Sequence, residues 1–393
     1  MDKNSEIWSE QQAYFYWLGS IPGVGSKSIR RLLRIYGSPK EVYLTTDNKI
    51  RTILNKGQLD QLTNSKKRWK VKEEYEMLKQ QDIRFLTEMD ATFPNRLREI
   101  PDPPFGIYVK GLLPSEEALT IAVIGARECS EYGRYVAWEL GKALGENKIP
   151  VVSGLARGID AISQEAALAA GGSSYGILGC GVDICYPAQN RHVYDKLLTS
   201  GGMVSLCPPG TRPKAGLFPP RNRIISGLAD VVVVIEARQK SGTLITVDMA
   251  LEQGREVYVV PGRITDRLSD GCNKLLKQGA ELLLSPKDFI AELGTMFPGK
   301  WPVDKRPEKS FRESSFRESL KSGKDLTPEE AMVFACLDFN PQSAGQIQEK
   351  LSVTLDYPGT LRLLLALCVA GLAEQVGCGY YRIKACQDSS IKA

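Results

Sequence analysis

What most constrains the fold is an alternation that begins at Leu119, where short runs rich in Val and Ile are each followed by a longer amphipathic stretch. Strands are expected at LTIAVIG, IPVVSG, SSYGILG, GMVSL, DVVVVIEA and EVYVVPG, with a further short one near AELLL. Helices are expected at EYGRYVAWELGKALG, GIDAISQEAALAAG, NRHVYDKLLT, RNRIISGLA, TLITVDMALEQG and CNKLLKQG. Strands joined through helices run mainly parallel, and the helices then cover both faces of the sheet. Ligands of such sheets bind beyond the carboxyl ends of the strands. That is where the punctuating residues fall: Gly125-Ala126-Arg127 after the first strand, the run from Ser153 through Gly154, Arg157 and Gly158 to Asp160 after the second, and Glu236 before Ser241-Gly242-Thr243 after the fifth. Gly permits close backbone approach and Arg suits phosphate, so an anion-binding crevice is expected at this edge.

A second concentration of binding chemistry is LFPPRNRIISGLAD, residues 217–230. Phe218 sits between Leu217 and the stiff Pro219-Pro220 pair, which limits how far its ring can turn away. Arg221, Asn222 and Arg223 are expected to open a helix whose free N–H groups favour an anion, with Phe218 as a face for a stacked base. The same residues also suit a Pro-rich turn whose arginines pair with surface carboxylates and whose Phe lies in the core. A lone Arg-Asn-Arg leaves both open.

Several function classes are disfavoured. GARECSEYG lacks the G-x-G-x-x-G fingerprint, no acidic residue ends the second strand to hold a ribose, and no G-x-x-x-x-G-K-[ST] occurs. Asp160 and Glu236 are the carboxylates best placed for acid–base work, yet a helix-terminal charge and an ion pair explain them without catalysis. His192 is the single histidine, and the nine cysteines form no C-x-x-C pair, so they are expected as reduced thiols and no metal or cofactor is expected. The 393 residues carry a net charge of +5, which permits a nucleic-acid partner without proving one. MDKNSEIWSE does not resemble a signal peptide and no apolar run approaches a membrane span, so a cytoplasmic protein is expected.

Residues 1–115 are expected to form a small helical domain. Within it, LGSIPGVGSKSIRRLLRIYGS has the spacing of a helix-hairpin-helix (SAM-like) unit, with Lys27, Arg30, Arg31 and Arg34 on its second helix. Such a hairpin either contacts a DNA backbone or serves as a packing corner. KKRWKVKEEYEMLKQQ is expected as one charged helix, followed by a short strand in DIRFLTEMD and a Pro-rich connection.

The linked motifs GARECSEYG, SGLARGIDAISQEAAL, GCGVDICYPAQN, FPPRNRIISGL, VVVIEARQKSGTLITVDMALEQGREVYVVPG and GCNKLLKQGA resemble, in content and order, the DNA-processing protein A (DprA, or Smf) family. The resemblance covers residues 93–289 closely and the whole chain in layout. It implies an extended Rossmann-like domain that binds single-stranded DNA, forms a homodimer through that domain, and helps to load a RecA-type recombinase in natural transformation, without catalytic turnover. Carried onto this chain, the family's DNA-binding positions fall at Gly125 and Arg127, at Ser153, Gly154, Arg157 and Gly158, at Lys214, and at Phe218, Arg221, Asn222 and Arg223. The chain departs from the family pattern at Ala126, where Ser is usual, at Leu206, where an acidic residue is common, and at Ala188, where a basic residue is common and Arg191 could take over the charge.

Residues 116–295 are thus the expected Rossmann-like domain. Residues 296–325 are polar, carry an FRESS/FRESL duplication and read as a flexible linker. Residues 326–386 suggest three helices and two short strands, a winged-helix domain that starts at the capping sequence Thr327-Pro328-Glu329-Glu330. Its would-be recognition helix, YPGTLRLLLALCVAG, has Arg362 as its only base, so contact with a protein suits it at least as well as duplex reading. The rival function is a Rossmann-like phosphoribohydrolase acting on a small nucleotide. That group uses a P-G-G-x-G-T-x-x-E loop, whereas this chain reads SGTLITVDMA with Asp248 displaced from the Glu position.

Overall fold

The computed structural model describes residues 3–46, 50–301, 326–351, 355–376 and 379–384. The chain divides into two compact units, residues 1–128 with 137–304, and residues 129–136 with 305–393. Most of the expected linker, residues 302–325, lies outside the described residues, as do Gly377, Cys378 and residues 385–386 of the expected winged helix.

The first unit is built on a nine-stranded sheet: β1 (Ile83–Thr87), β2 (Gly106–Gly111), β3 (Ile121–Ile124), β4 (Val151–Ser153), β5 (Ser174–Leu178), β6 (Gly201–Ser205), β7 (Val231–Val234), β8 (Glu256–Val259) and β9 (Glu281–Leu282). Their spatial order is β1-β2-β6-β5-β4-β3-β7-β8-β9. From β6 to β9 every pairing is parallel, as the alternation of strands and helices demands. At the centre, Ile121 to Ile124 of β3 lie in register with Val231 to Val234 of β7. Every residue of these two strands is buried, which is why their sequences show no polar alternation. Each such Val or Ile side chain contributes about 1.5–3 kcal/mol by leaving water. The order reverses between β3 and β7, so the switch point of the sheet lies at the ends of these two strands.

The expected boundary near residue 115 does not match the sheet. β1 and β2 pair antiparallel, and β2 pairs antiparallel with β6, so the sheet already begins at Ile83. The cause is visible in the packing: β2 buries Ile107, Tyr108 and Val109, which a free connection could not cover. The N-terminal helices share this core. Trp17, Leu18, Leu32 and Leu62 belong to one apolar cluster with Tyr108, Val193, Leu197 and Met203, and Ser20 Oγ lies 2.7 Å from Tyr108 Oη. The single helix expected over residues 66–81 is two, Lys56–Arg68 and Val71–Gln80. Trp69 at the break packs edge-on against Tyr16 at 5.3 Å.

A buried polar knot fastens the segment before β3 to β7. Arg96 donates to the carbonyls of Leu228, Glu116 and Ala118 and pairs with Asp230 at 3.2 Å. Asp230 also accepts from the Thr120 amide at 2.9 Å and pairs with Lys300 at 2.6 Å.

In the second unit, helices Pro328–Cys336, Ala344–Lys350 and Tyr357–Val369 pack around Phe334, Ile347, Leu364 and Leu367. The expected capping box is present: Thr327 accepts from the Glu330 amide, and the Glu330 carboxylate accepts from the Thr327 amide. Strand β12 (Tyr380–Ile383) pairs antiparallel with β11 (Ala373–Gln375) and with β10 (Gln342–Ser343), a strand that the residue pattern does not announce. Arg362 is exposed on its helix.

Candidate nucleic-acid interface

Three neighbouring parallel strands, β3, β4 and β5, each end at a glycine: Gly125, Gly154 and Gly179. Two of these make room for the side chains that build the site. A Cβ at Gly154 would run into the Arg221 guanidinium, and one at Gly179 would stand 2.7 Å from Phe218 Cδ1. The helix Phe218–Leu228 can therefore lie across the strand ends, with its first aromatic ring against the backbone after β5.

Phe218 is half-buried, with two guanidinium groups and a second ring near it. The Arg127 guanidinium stands 5.6 Å from the ring centroid and that of Arg221 5.9 Å, within cation–π range. The ring of Tyr186 lies 5.9 Å away at 31°, and Tyr186 is 45% exposed. Arg127, Arg157 and Lys214 are exposed. The cluster thus offers two aromatic faces beside unburied cations, chemistry that suits bases and phosphates together. Tyr186 escapes the sequence reading because nothing in GVDICYPAQN marks its ring. It becomes visible only when the turn after β5 meets the helix Phe218–Leu228.

The other expected site residues fall into supporting places. Ser153 is fully buried and its hydroxyl donates to the Val123 carbonyl at 2.6 Å, so it cannot reach a ligand. Gly154 is buried as well, and its amide donates to Asp160 at 3.1 Å. Gly158 adopts φ 73°, the left-handed region, and a Cβ there would strike the Ala126 carbonyl. Gly125 accepts from the Thr243 hydroxyl at 3.3 Å.

Arg221 is not the open phosphate fork that its motif suggests. It is 5% exposed and donates to the Ile177 carbonyl at the end of β5. Burial pushes its pKa down to about 10, which the facing Asp160 only partly offsets. Burial likewise pushes the Asp160 carboxyl above its ordinary value, against the pull of the Arg221 charge and of backbone amides. The two form a desolvated internal pair that sets the helix on the strand ends. Arg223, 17% exposed in its side chain, is paired with Asp102, and Asn222 is partly buried. The helix itself begins at Phe218 rather than at Arg221, with Pro219 and Pro220 in its first turn. Two prolines remove two of the free N–H groups, which weakens the anion site expected at this helix terminus.

Arg191, which could take over the charge missing at Ala188, is exposed and paired with Asp195 at 3.0 Å on the same helix. On the second helix of the N-terminal hairpin, Arg30 is held by Glu88 at 2.6 Å and by the Pro103 carbonyl at 3.0 Å, an internal packing role, whereas Lys27, Arg31 and Arg34 are exposed. No described helix is long and apolar enough to cross a membrane.

Residues 84–294 match the model of the DNA recombination-mediator protein A family. The "DNA processing protein DprA" of Streptococcus pneumoniae is 41% identical over 204 residues, 52% of this chain and 72% of that protein. The "Protein Smf" of Escherichia coli is 36% identical over 301 residues, 74% of this chain and 75% of that protein. Among solved structures, the X-ray structure of DprA from Streptococcus pneumoniae superposes with a TM-score of 0.58 at 31% identity, covering 74% of this chain and 98% of that one. The match begins at β1, where the sheet itself begins, and with these relatives it makes the chain a member of the DNA recombination-mediator protein A family, a DNA-processing protein.

Proposed function

We propose that this chain binds single-stranded DNA across the carboxyl edge of its sheet, protects it and loads a RecA-type recombinase onto it, in natural transformation and recombination. The observation that carries the reading is the cluster of Phe218, Tyr186 and Arg127, two partly exposed rings with a guanidinium 5.6 Å from one of them. Stacking on rings reads no sequence, and exposed cations hold any backbone, which is what a protein that coats incoming strands requires. Arg127, Arg157 and Lys214 are the phosphate ligands of this proposal, Gly125 and Gly158 shape the loops that carry them, and Arg221, Asn222 and Arg223 position the ring.

The protein acts in the cytoplasm as a homodimer, without catalytic turnover. The C-terminal unit is a winged helix that contacts a protein partner rather than a duplex, in keeping with one exposed base on its longest helix, Arg362. An anisotropy titration of oligothymidine against a duplex of equal length, at two salt concentrations, tests the central point. Tighter, salt-dependent binding of the single strand is expected, and equal or tighter duplex binding overturns the reading. Recombinase loading is tested by filament assembly on a strand already coated with a single-strand-binding protein, where no acceleration by this chain rejects it.

A further inference from the structure

We propose that a hollow beyond β7 and β8 is a second phosphate-binding site, which holds the backbone of the same single strand whose bases stack at Phe218. The proposal rests on the single-strand reading above. The hollow has a volume of about 410 Å3 and is lined by Arg238, Gln239, Lys240, Arg267 and Asp270. The side chains of Arg238, Lys240 and Arg267 are exposed, and among the described residues none of them makes a hydrogen bond or an ion pair. Asp270, the one carboxylate, belongs to the first turn of the helix Asp270–Lys277, where the positive end of the dipole already engages it.

Backbone hydrogen bonds bring together the two loops that carry these cations. The Ala237 amide donates to the Leu268 carbonyl at 2.8 Å, and the Gly271 amide donates to the Ala237 carbonyl at 2.8 Å, which zips the loop after β7 to the loop after β8. A Cβ at Gly271 would stand 2.7 Å from the Ala237 carbonyl and 2.8 Å from that of Arg238, so the approach depends on glycine. A rigid backbone that gathers three like charges around one carboxylate leaves a net positive hollow, and an anion from outside completes it.

The topology places this hollow in line with the first site. β7 lies beside β3, with Val234 opposite Ile124, so Arg238 and Arg127 both follow neighbouring strand ends on one edge of the sheet. The Thr243 hydroxyl ties the loop after β7 to Gly125 after β3. From the end of β5, against which the Phe218 ring packs, to β8, which leads to Arg267, the edge crosses four strand spacings, about 19 Å. A strand stacked at Phe218 and Tyr186 that runs past Arg127 reaches the hollow within a few more nucleotides.

The test uses the full chain and the variant R238Q/K240Q/R267Q, with thermal unfolding to show that both are folded. Two oligothymidines are titrated over a range of salt, a short one of about 3 nucleotides and a long one of about 20, chosen to fall short of and to exceed the span between the sites. The short strand should bind both proteins alike. With the long strand, the variant should bind more weakly, and its slope of log affinity against log salt should be shallower by about 2, the loss of three contacts at about 0.7 each. A wild-type slope and affinity for the long strand in the variant refutes the second site and leaves an acidic protein surface as the occupant of the hollow. Failure of the wild-type chain to bind either oligonucleotide refutes the single-strand reading and, with it, this one.

Discussion

Replacing Phe218 by Ala distinguishes a stacking platform from a core side chain. The ring is half-buried, lies 5.9 Å from Tyr186, and carries two guanidinium groups at 5.6 and 5.9 Å. Loss of one aromatic platform costs about 1–3 kcal/mol of single-strand affinity, or roughly 5- to 150-fold. Because no charge is removed, the salt slope should not change. A fully buried Phe cut to Ala costs about 3–5 kcal/mol of stability; for a half-buried ring about half of that is expected, which lowers the melting temperature by several degrees. Anisotropy with oligothymidine gives the affinity and a thermal melt gives the stability, on the same preparation. A large fall in melting temperature with wild-type affinity in the folded protein would return Phe218 to the core and remove the main reason for locating DNA at this edge.

Arg127→Ala should weaken binding to every sequence alike and reduce the salt slope by about 0.7, whereas Arg223→Ala, which loses only its pair with Asp102, should leave the slope unchanged; equal slopes for the two variants would count against the division between ligand and support. Asp230→Ala leaves the buried Arg96 guanidinium without its carboxylate and should cost about 3–5 kcal/mol in urea unfolding, and a loss below about 1 kcal/mol would show that the knot is not a fastening point. Burial pushes the hydroxyls of Tyr16 and Tyr194 up to about 12, so in the fold they keep protons that the unfolded chain releases from about pH 10. The unfolded state then binds fewer protons, and their stabilising contribution, intact below pH 10, is lost as pH rises toward 12. Tyr194→Phe should flatten that decline in a pH series of melts, and an unaltered decline would reject the assignment.

The parallel half of the sheet was legible because buried strands must be written in Val and Ile, as VVVV of β7 is. β2 was not, since GIYVKG follows Pro101, Pro103 and Pro104 and reads like the end of a connection until Tyr108 is found against Ser205 of β6. The Phe-Pro-Pro-Arg-Asn-Arg run identified the right helix but not its interior: a motif lists side chains without stating which face each takes. Arg221 and Ser153 proved to be buried parts of the scaffold, and Tyr186, from a distant turn, supplied the second ring.

The knot around Asp230 also decides where the chain can be cut. A fragment that starts after residue 115 would lose β1, β2 and Arg96 together, baring the outer edge of β6 and removing one of the two ion pairs of Asp230. One that begins just before β1 would keep the sheet but expose the apolar surface that Trp17, Leu18 and Leu32 now cover. Truncations meant to isolate the sheet should therefore retain the N-terminal helices, and any loss of solubility on their removal would reflect this shared core rather than a defect in the proposed DNA edge.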